Sequence, residues 1–185
     1  MVIACDVIQQ RAEAAGIRID FLLTVDSAAD IIERIGPPQN QDCVLVMPLL
    51  GHRDLDRRFR LVAHFGEGAL ARELLGDGAT FMTGTTVGIA TVGFAAFLGC
   101  AEAVLAGHDL AQSNEAYYSR LVGNQETADA AEQALQAQHA IEVEGNDGGK
   151  VVSNQAFETA IQDLGVILHR HPQMPAWNLN LLDGL

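Results

Sequence analysis

Two short stretches of this chain carry residue types that could hold and transform a charged ligand. The first is Gly51-His52-Arg53-Asp54-Leu55-Asp56-Arg57-Arg58-Phe59-Arg60, which contains four of the eleven basic residues. Guanidinium groups grip carboxylate and phosphate oxygens through paired, charge-assisted hydrogen bonds. Arg53 and Arg57 are therefore candidate anion ligands, with His52 beside them as an acid or base active near neutral pH. The competing reading is plain. Asp54 with Arg58, and Asp56 with Arg60, stand four residues apart, as in ordinary ion pairs along an exposed helix.

The second stretch is Thr80-Phe81-Met82-Thr83-Gly84-Thr85-Thr86-Val87-Gly88. A turn entering a helix here would aim unpaired N–H groups and a partial positive charge at an anion. Hydroxyls of Thr83, Thr85 and Thr86 would add donors. The pattern lacks the lysine and spacing of a P-loop and is not a Gly-x-Gly-x-x-Gly fingerprint. An ordinary threonine N-cap would leave the same trace. A third candidate is Glu102, the one charge between Asp77 and His108. Buried, it would titrate high and suit a general base; exposed, it would merely be solvated.

These residues need elements to position them. Residues 4–15 read as a helix stopped by Gly16, and 18–25 as a strand. A short helix follows over 28–35, capped by Asp26 or Ser27, with Ser27 and Asp30 spaced as a capping box and Gly36-Pro37-Pro38 ending it. The apolar run 43–49 suits a strand covered on both faces. Helices are expected over 54–65 and 67–75, and a short strand over 79–82. Were 43–49 and 79–82 neighbouring parallel strands, the arginine and threonine corners would open on one sheet edge, where α/β folds bind ligands.

A long helix is expected over 85–107. Gly84, Gly88, Ala95, Gly99, Ala103 and Gly107 fall near one stripe, and small residues on a stripe let a neighbouring helix or subunit approach closely. Two further helices are expected over 111–121 and 125–139. A hairpin turning at Asn146-Asp147-Gly148-Gly149, a helix capped by Ser153 or Asn154 and running to His169, and an irregular tail complete the chain. The expected architecture is α/β: a single, three-layer-like domain over residues 1–185, with a short, mostly parallel sheet, a long small-residue central helix and a helix-rich C-terminal half.

Composition narrows the partners. The 24 acidic residues against 11 basic give a formal charge of −13, which disfavours a phosphate backbone as partner and excludes nucleic acid. Ten of the basic residues are arginine. Cys5, Cys43 and Cys100 make an odd set without a Cys-x-x-Cys pair, so a reducing, cytoplasmic setting is expected. The N-terminus lacks the basic region of a signal peptide. Residues 81–101 carry no charge, but their threonines and glycines and the absence of flanking basic anchors argue against a membrane span. No histidine or cysteine spacing suggests a metal, and the sequence leaves any cofactor unknown. The functional expectation is an enzyme of small-molecule metabolism that binds an anionic, phosphorylated or carboxylated metabolite and uses acid/base chemistry, in a homo-oligomer. The alternative is a non-catalytic ligand-binding or assembly protein with residues 84–107 as its subunit interface.

Overall fold

The computed structural model describes residues 1–66, 68–76, 78, 80–108, 110, 141–144 and 148–179. The expected helices over 111–121 and 125–139 lie outside them, as do residues 145–147 of the expected hairpin turn. The chain is mixed α/β, built on a four-stranded parallel sheet with several helices. By its contacts it divides into two compact units, Met1–Gly99 and Cys100–Leu185.

In the first unit the strands are β1 (Ile3–Cys5), β2 (Phe21–Leu23), β3 (Val44–Pro48) and β4 (Leu61–Phe65), side by side in chain order. All three pairings are parallel, with Ile3, Phe21, Val44 and Leu61 level with one another. Alternation along each strand sorts the side chains onto two apolar faces. Ala4, Leu22, Leu45 and Met47 point to one face. They are covered there by Ala12 of α1 (Gln9–Ala14), by Ile31 and Ile35 at the ends of α2 (Ile31–Arg34), and by Leu55 and Phe59. Leu23 and Val46, flanked by Ile3, Phe21 and Val44, point to the other. There Val87, Ala90 and Phe94 of α4 (Val87–Phe97) pack on them. In the chain α3 (Gly68–Leu75) follows β4 and buries Ala71.

Several boundaries depart from the sequence expectation. Residues 4–15 divide into the end of β1, a single 3-10 turn over Asp6–Ile8, and α1. The expected helix over 54–65 is absent: His52–Arg58 form turns, and β4 occupies Leu61–Phe65. The exposed edge of β3 supplies a ladder for residues 61–65, and that pairing overrides the helical spacing of the upstream charges. The strand expected over 79–82 does not form among its described residues 80–82; the neighbour of β3 is β4.

The long helix over 85–107 is also corrected. α4 stops at Phe97, and Gly99 (φ +73) takes the left-handed conformation that ends it. Gly84 (φ +65) lies before the helix. Residues 103–106 form a strand. Of the small residues read as one stripe, Gly88 and Ala95 sit in α4, Ala103 in the strand, and Gly84, Gly99 and Gly107 outside both, so no continuous helical face over 84–107 exists to serve as a subunit interface.

The second unit contains two small sheets and one described helix. β5 (Ala103–Ala106) pairs in parallel with β8 (Ala176–Leu179), so the tail expected to be irregular includes a strand. β6 (Ile141–Glu144) and β7 (Lys150–Ser153) form the expected antiparallel hairpin. α5 (Gln155–Arg170) starts as read, with the Asn154 side chain accepting from Phe157 N–H at 2.9 Å. Ala160, Ile167 and Met174 are buried there. No described helix is long and apolar enough to cross a membrane.

Candidate functional site

The connections that follow β1, β2 and β3 all lie on one face of the first unit's sheet, whereas α4 lies on the other, over β1 and β2. In open α/β sheets ligands bind outside the carboxyl ends of the strands; here the strand order β1-β2-β3-β4 has no reversal to mark one point along that edge. Near the end of α4 Phe94 meets Phe21, the first residue of β2, with ring centroids 5.3 Å apart. Phe81, just before the helix, meets Phe65, the last residue of β4, at 4.8 Å.

The residues at the ends of β1 and β2 form a connected polar group. Asp6, immediately after β1, is 3% exposed. One of its carboxylate oxygens accepts from Val7 N–H and the other from the Thr24 hydroxyl, each at 2.7 Å. Thr24 follows β2 and is fully buried. Its hydroxyl oxygen in turn accepts from Asp26 N–H at 3.2 Å. The Asp26 carboxylate accepts from Ala28 N–H at 2.9 Å and from Arg34 Nη2 at 2.5 Å. The same Nη2 reaches Asp30 at 3.1 Å, while Arg34 Nε is buried without a partner. Burial pushes the Asp6 carboxyl above the usual carboxylate range, against the hydrogen bonds from Thr24 and Val7 and the attraction of Arg34. The Asp26 carboxyl moves the other way: the Ala28 N–H bond, helped by Arg34, holds it below the usual range despite partial burial.

The arginine run resolves into separate tasks. Arg58 donates to the carbonyls of Ile32 and Ile35 and so caps the end of α2. Arg60 pairs with Asp42. Arg57 is 81% exposed and reaches Asp54 at 3.5 Å, three residues away; Arg53 is exposed. Neither of the expected four-residue ion pairs forms, because the segment is not helical. His52 is half-buried in the turn after β3, its Nδ1 accepting from Asp54 N–H at 3.4 Å.

In the threonine corner, Thr86 caps α4, its hydroxyl accepting from Ile89 N–H at 3.3 Å. Thr83 is buried and Thr85 exposed. The two corners leave the sheet on opposite faces. Leu55 and Phe59 seat the arginine turn beside Met47, while Val87 seats the threonine corner beside Val46. Thr83, Thr85 and Thr86 thus lead into α4, which covers the face opposite the one covered by Leu55 and Phe59 of the arginine turn. Glu102 belongs to the second unit, just before β5 and outside any helix, and is exposed.

Asp6, Thr24 and Arg34 escaped the sequence reading, which offered Asp26 only as a helix cap; its carboxylate does accept from Ala28 N–H. Asp6 was read inside a helix, and the only available signal was that polar residues directly follow two short apolar runs. An open groove of about 340 Å³, lined in part by Glu13, Asn40 and Asp42, lies at the amino edge instead. Its side chains already serve the fold: Glu13 accepts from Gln39 N–H, Asn40 donates to the Ile19 carbonyl, and Asp42 pairs with Arg60. Burial raises the Cys5 thiol to about 12 and the Cys43 thiol to about 11, so neither is a ready nucleophile. Among the described residues no His/Cys/Asp/Glu group could hold a metal ion.

No protein-family model matches the chain, and no curated protein matches it in sequence. Among solved structures, the MAf glycosyltransferase from Magnetospirillum magneticum AMB-1 is similar in fold, with a TM-score of 0.73 over 97% of this chain at 19% sequence identity. The match spans 29% of that protein's chain, so this chain corresponds to less than a third of its length.

Proposed function

We propose that this chain is part of an enzyme acting on a sugar that carries an anionic group, and that the ligand binds at the carboxyl edge of β1–β4. One observation supports this reading most: nearly the whole chain shares its fold with a segment of a glycosyltransferase. The habit of α/β sheets of binding ligands beyond the carboxyl ends of their strands supports that choice of edge.

Glycosyl transfer needs a leaving group whose developing negative charge is stabilised and an acceptor whose proton is removed. The start of α4 offers backbone N–H donors with Thr83, Thr85 and Thr86 around them, and these take the anionic group. His52, at the carboxyl end of β3, is the candidate to accept the proton. Arg53 and Arg57, on the other face, are left as a competing anion site that experiment separates.

The test is thermal stabilisation by inorganic pyrophosphate, uridine diphosphate and glucose 1-phosphate, with neutral glucose as control. At a hundredfold excess over Kd, a phosphate-bearing ligand adds about 2.7 kcal/mol to stability. Thr85→Val is expected to weaken that stabilisation, and the double variant Arg53→Ala/Arg57→Ala to leave it intact. Failure of every anion to raise the melting temperature would refute the reading, and the reverse pattern among the variants would move the anion to the arginine turn.

A further inference from the structure

We infer that Asp26 and Arg34, held at the carboxyl end of β2 by the buried Asp6 and Thr24, form a binding site for a vicinal diol, the neighbouring hydroxyl pair of a ribose or a hexose. This rests on the proposed sugar chemistry and deepens it by naming the groups that read the sugar.

A diol in contact with protein needs an acceptor and a donor side by side, one hydroxyl giving its proton and the other receiving one. Asp26 and Arg34 present that pair, 35% and 32% exposed. A carboxylate has about four acceptor positions, and Ala28 N–H and Arg34 Nη2 occupy two. A guanidinium has about five donors, yet both hydrogen bonds that Arg34 makes among the described residues come from Nη2, which leaves Nη1 of this partly exposed side chain to donate. Capacity of both kinds therefore remains at one place.

Charge selects the ligand. Asp6, Asp26 and Asp30 surround a single guanidinium, so the site is net negative and repels phosphate while accepting neutral hydroxyls. The anionic group is left to the start of α4.

The support behind the pair is the second observation. Burying a carboxylate and a hydroxyl is costly unless both are satisfied, and here the Thr24 hydroxyl, donating to Asp6 and accepting from Asp26 N–H, ties the segment that carries Asp26 to the end of β1. Rigid backing of this kind is what places a polar recognition group accurately. Asp6 and Thr24, nearly or fully inaccessible, are positioning residues; Asp26 and Arg34 touch the ligand.

The experiment compares affinities of the unaltered protein by calorimetry. One arm sets uridine diphosphate against 2′-deoxyuridine diphosphate; the other sets glucose 1-phosphate against 2-deoxyglucose 1-phosphate. Loss of one hydroxyl is expected to weaken binding about tenfold in one arm, near the lower end for a hydrogen bond to a charged group. That arm identifies the ribose or the hexose as the source. Asp26→Ala is expected to bring the ratio close to one, and Thr24→Val to reduce it while the deoxy ligand binds as before, which mere loosening of the fold would not produce. Binding with equal affinity in both arms overturns the diol site and leaves the proposed function standing, as does a ratio that survives Asp26→Ala. Absence of binding by all four ligands overturns both.

Discussion

Asp6 holds its carboxylate between the ends of two strands at 3% exposure, with burial raising its proton affinity. The sign of the resulting pH dependence follows directly. An acid whose folded pKa exceeds its unfolded value, ordinarily 3.8, binds more protons folded than unfolded between the two. Its ionisation therefore costs stability as pH rises from about the unfolded value through the raised one. Asp26 works oppositely: its lowered pKa adds stability that is lost as pH falls. In Asp6→Asn the first contribution is gone. The melting temperature of that variant minus that of the parent should climb between pH 4 and pH 7, and a flat difference would show that Asp6 is not perturbed. None of this was legible in the sequence, because the partners Thr24 and Arg34 are brought to Asp6 by strand order and not by spacing. The arginine run misled for the same reason. Its charges were visible, but Arg58 caps a helix lying 23 residues upstream of it at Ile35, a partner no local pattern reveals.

At the scale of elements, what depends on neighbours in sequence was readable. The apolar run that became β3, the capped helix α5 and the hairpin of β6 and β7 all announced themselves by local pattern and turn chemistry. β4, β5 and β8 did not. Each is short, and each is a strand only because a distant segment offers an edge, as Ala176 does for Ala103. α4 shows the two kinds of information together: Thr86 marks its start legibly, while Gly93 has a meaning only packing discloses. A Cβ there would run into the backbone carbonyl of Met82. The missing side chain lets the 80–84 segment lie against the helix and sets the Phe81–Phe94 contact, with centroids 5.4 Å apart. Gly93→Ala should therefore cost about 1–3 kcal/mol, the usual range for overpacking, despite alanine's better helix propensity. Urea titration checks this; a stabilised variant would show that the close approach does not exist.

At the scale of the molecule, both apolar clusters of the sheet are drawn from residues 3–94, within the unit that ends at Gly99. A chain limited to residues 1–99 is accordingly expected to fold, with a cooperative thermal transition by circular dichroism. A broad, non-cooperative melt would mean that its core is incomplete. The α/β class and the parallel sheet were legible, since strand, helix and strand fitted one crossover unit; the division at Gly99 was not, because it falls inside a charge-free run with no linker composition.

The sheet's sequential strand order also bears on how the protein is made. Each new strand docks on the one just synthesised, so the ladder can grow from the ribosome without waiting for remote sequence, a favourable arrangement for rapid folding. One surface nevertheless stays bare throughout that growth. Ile3, Phe21, Leu23, Val44 and Val46 lack the cover of α4 until that helix, later in the chain than all four strands, has emerged, and during that interval the nascent chain is most exposed to aggregation.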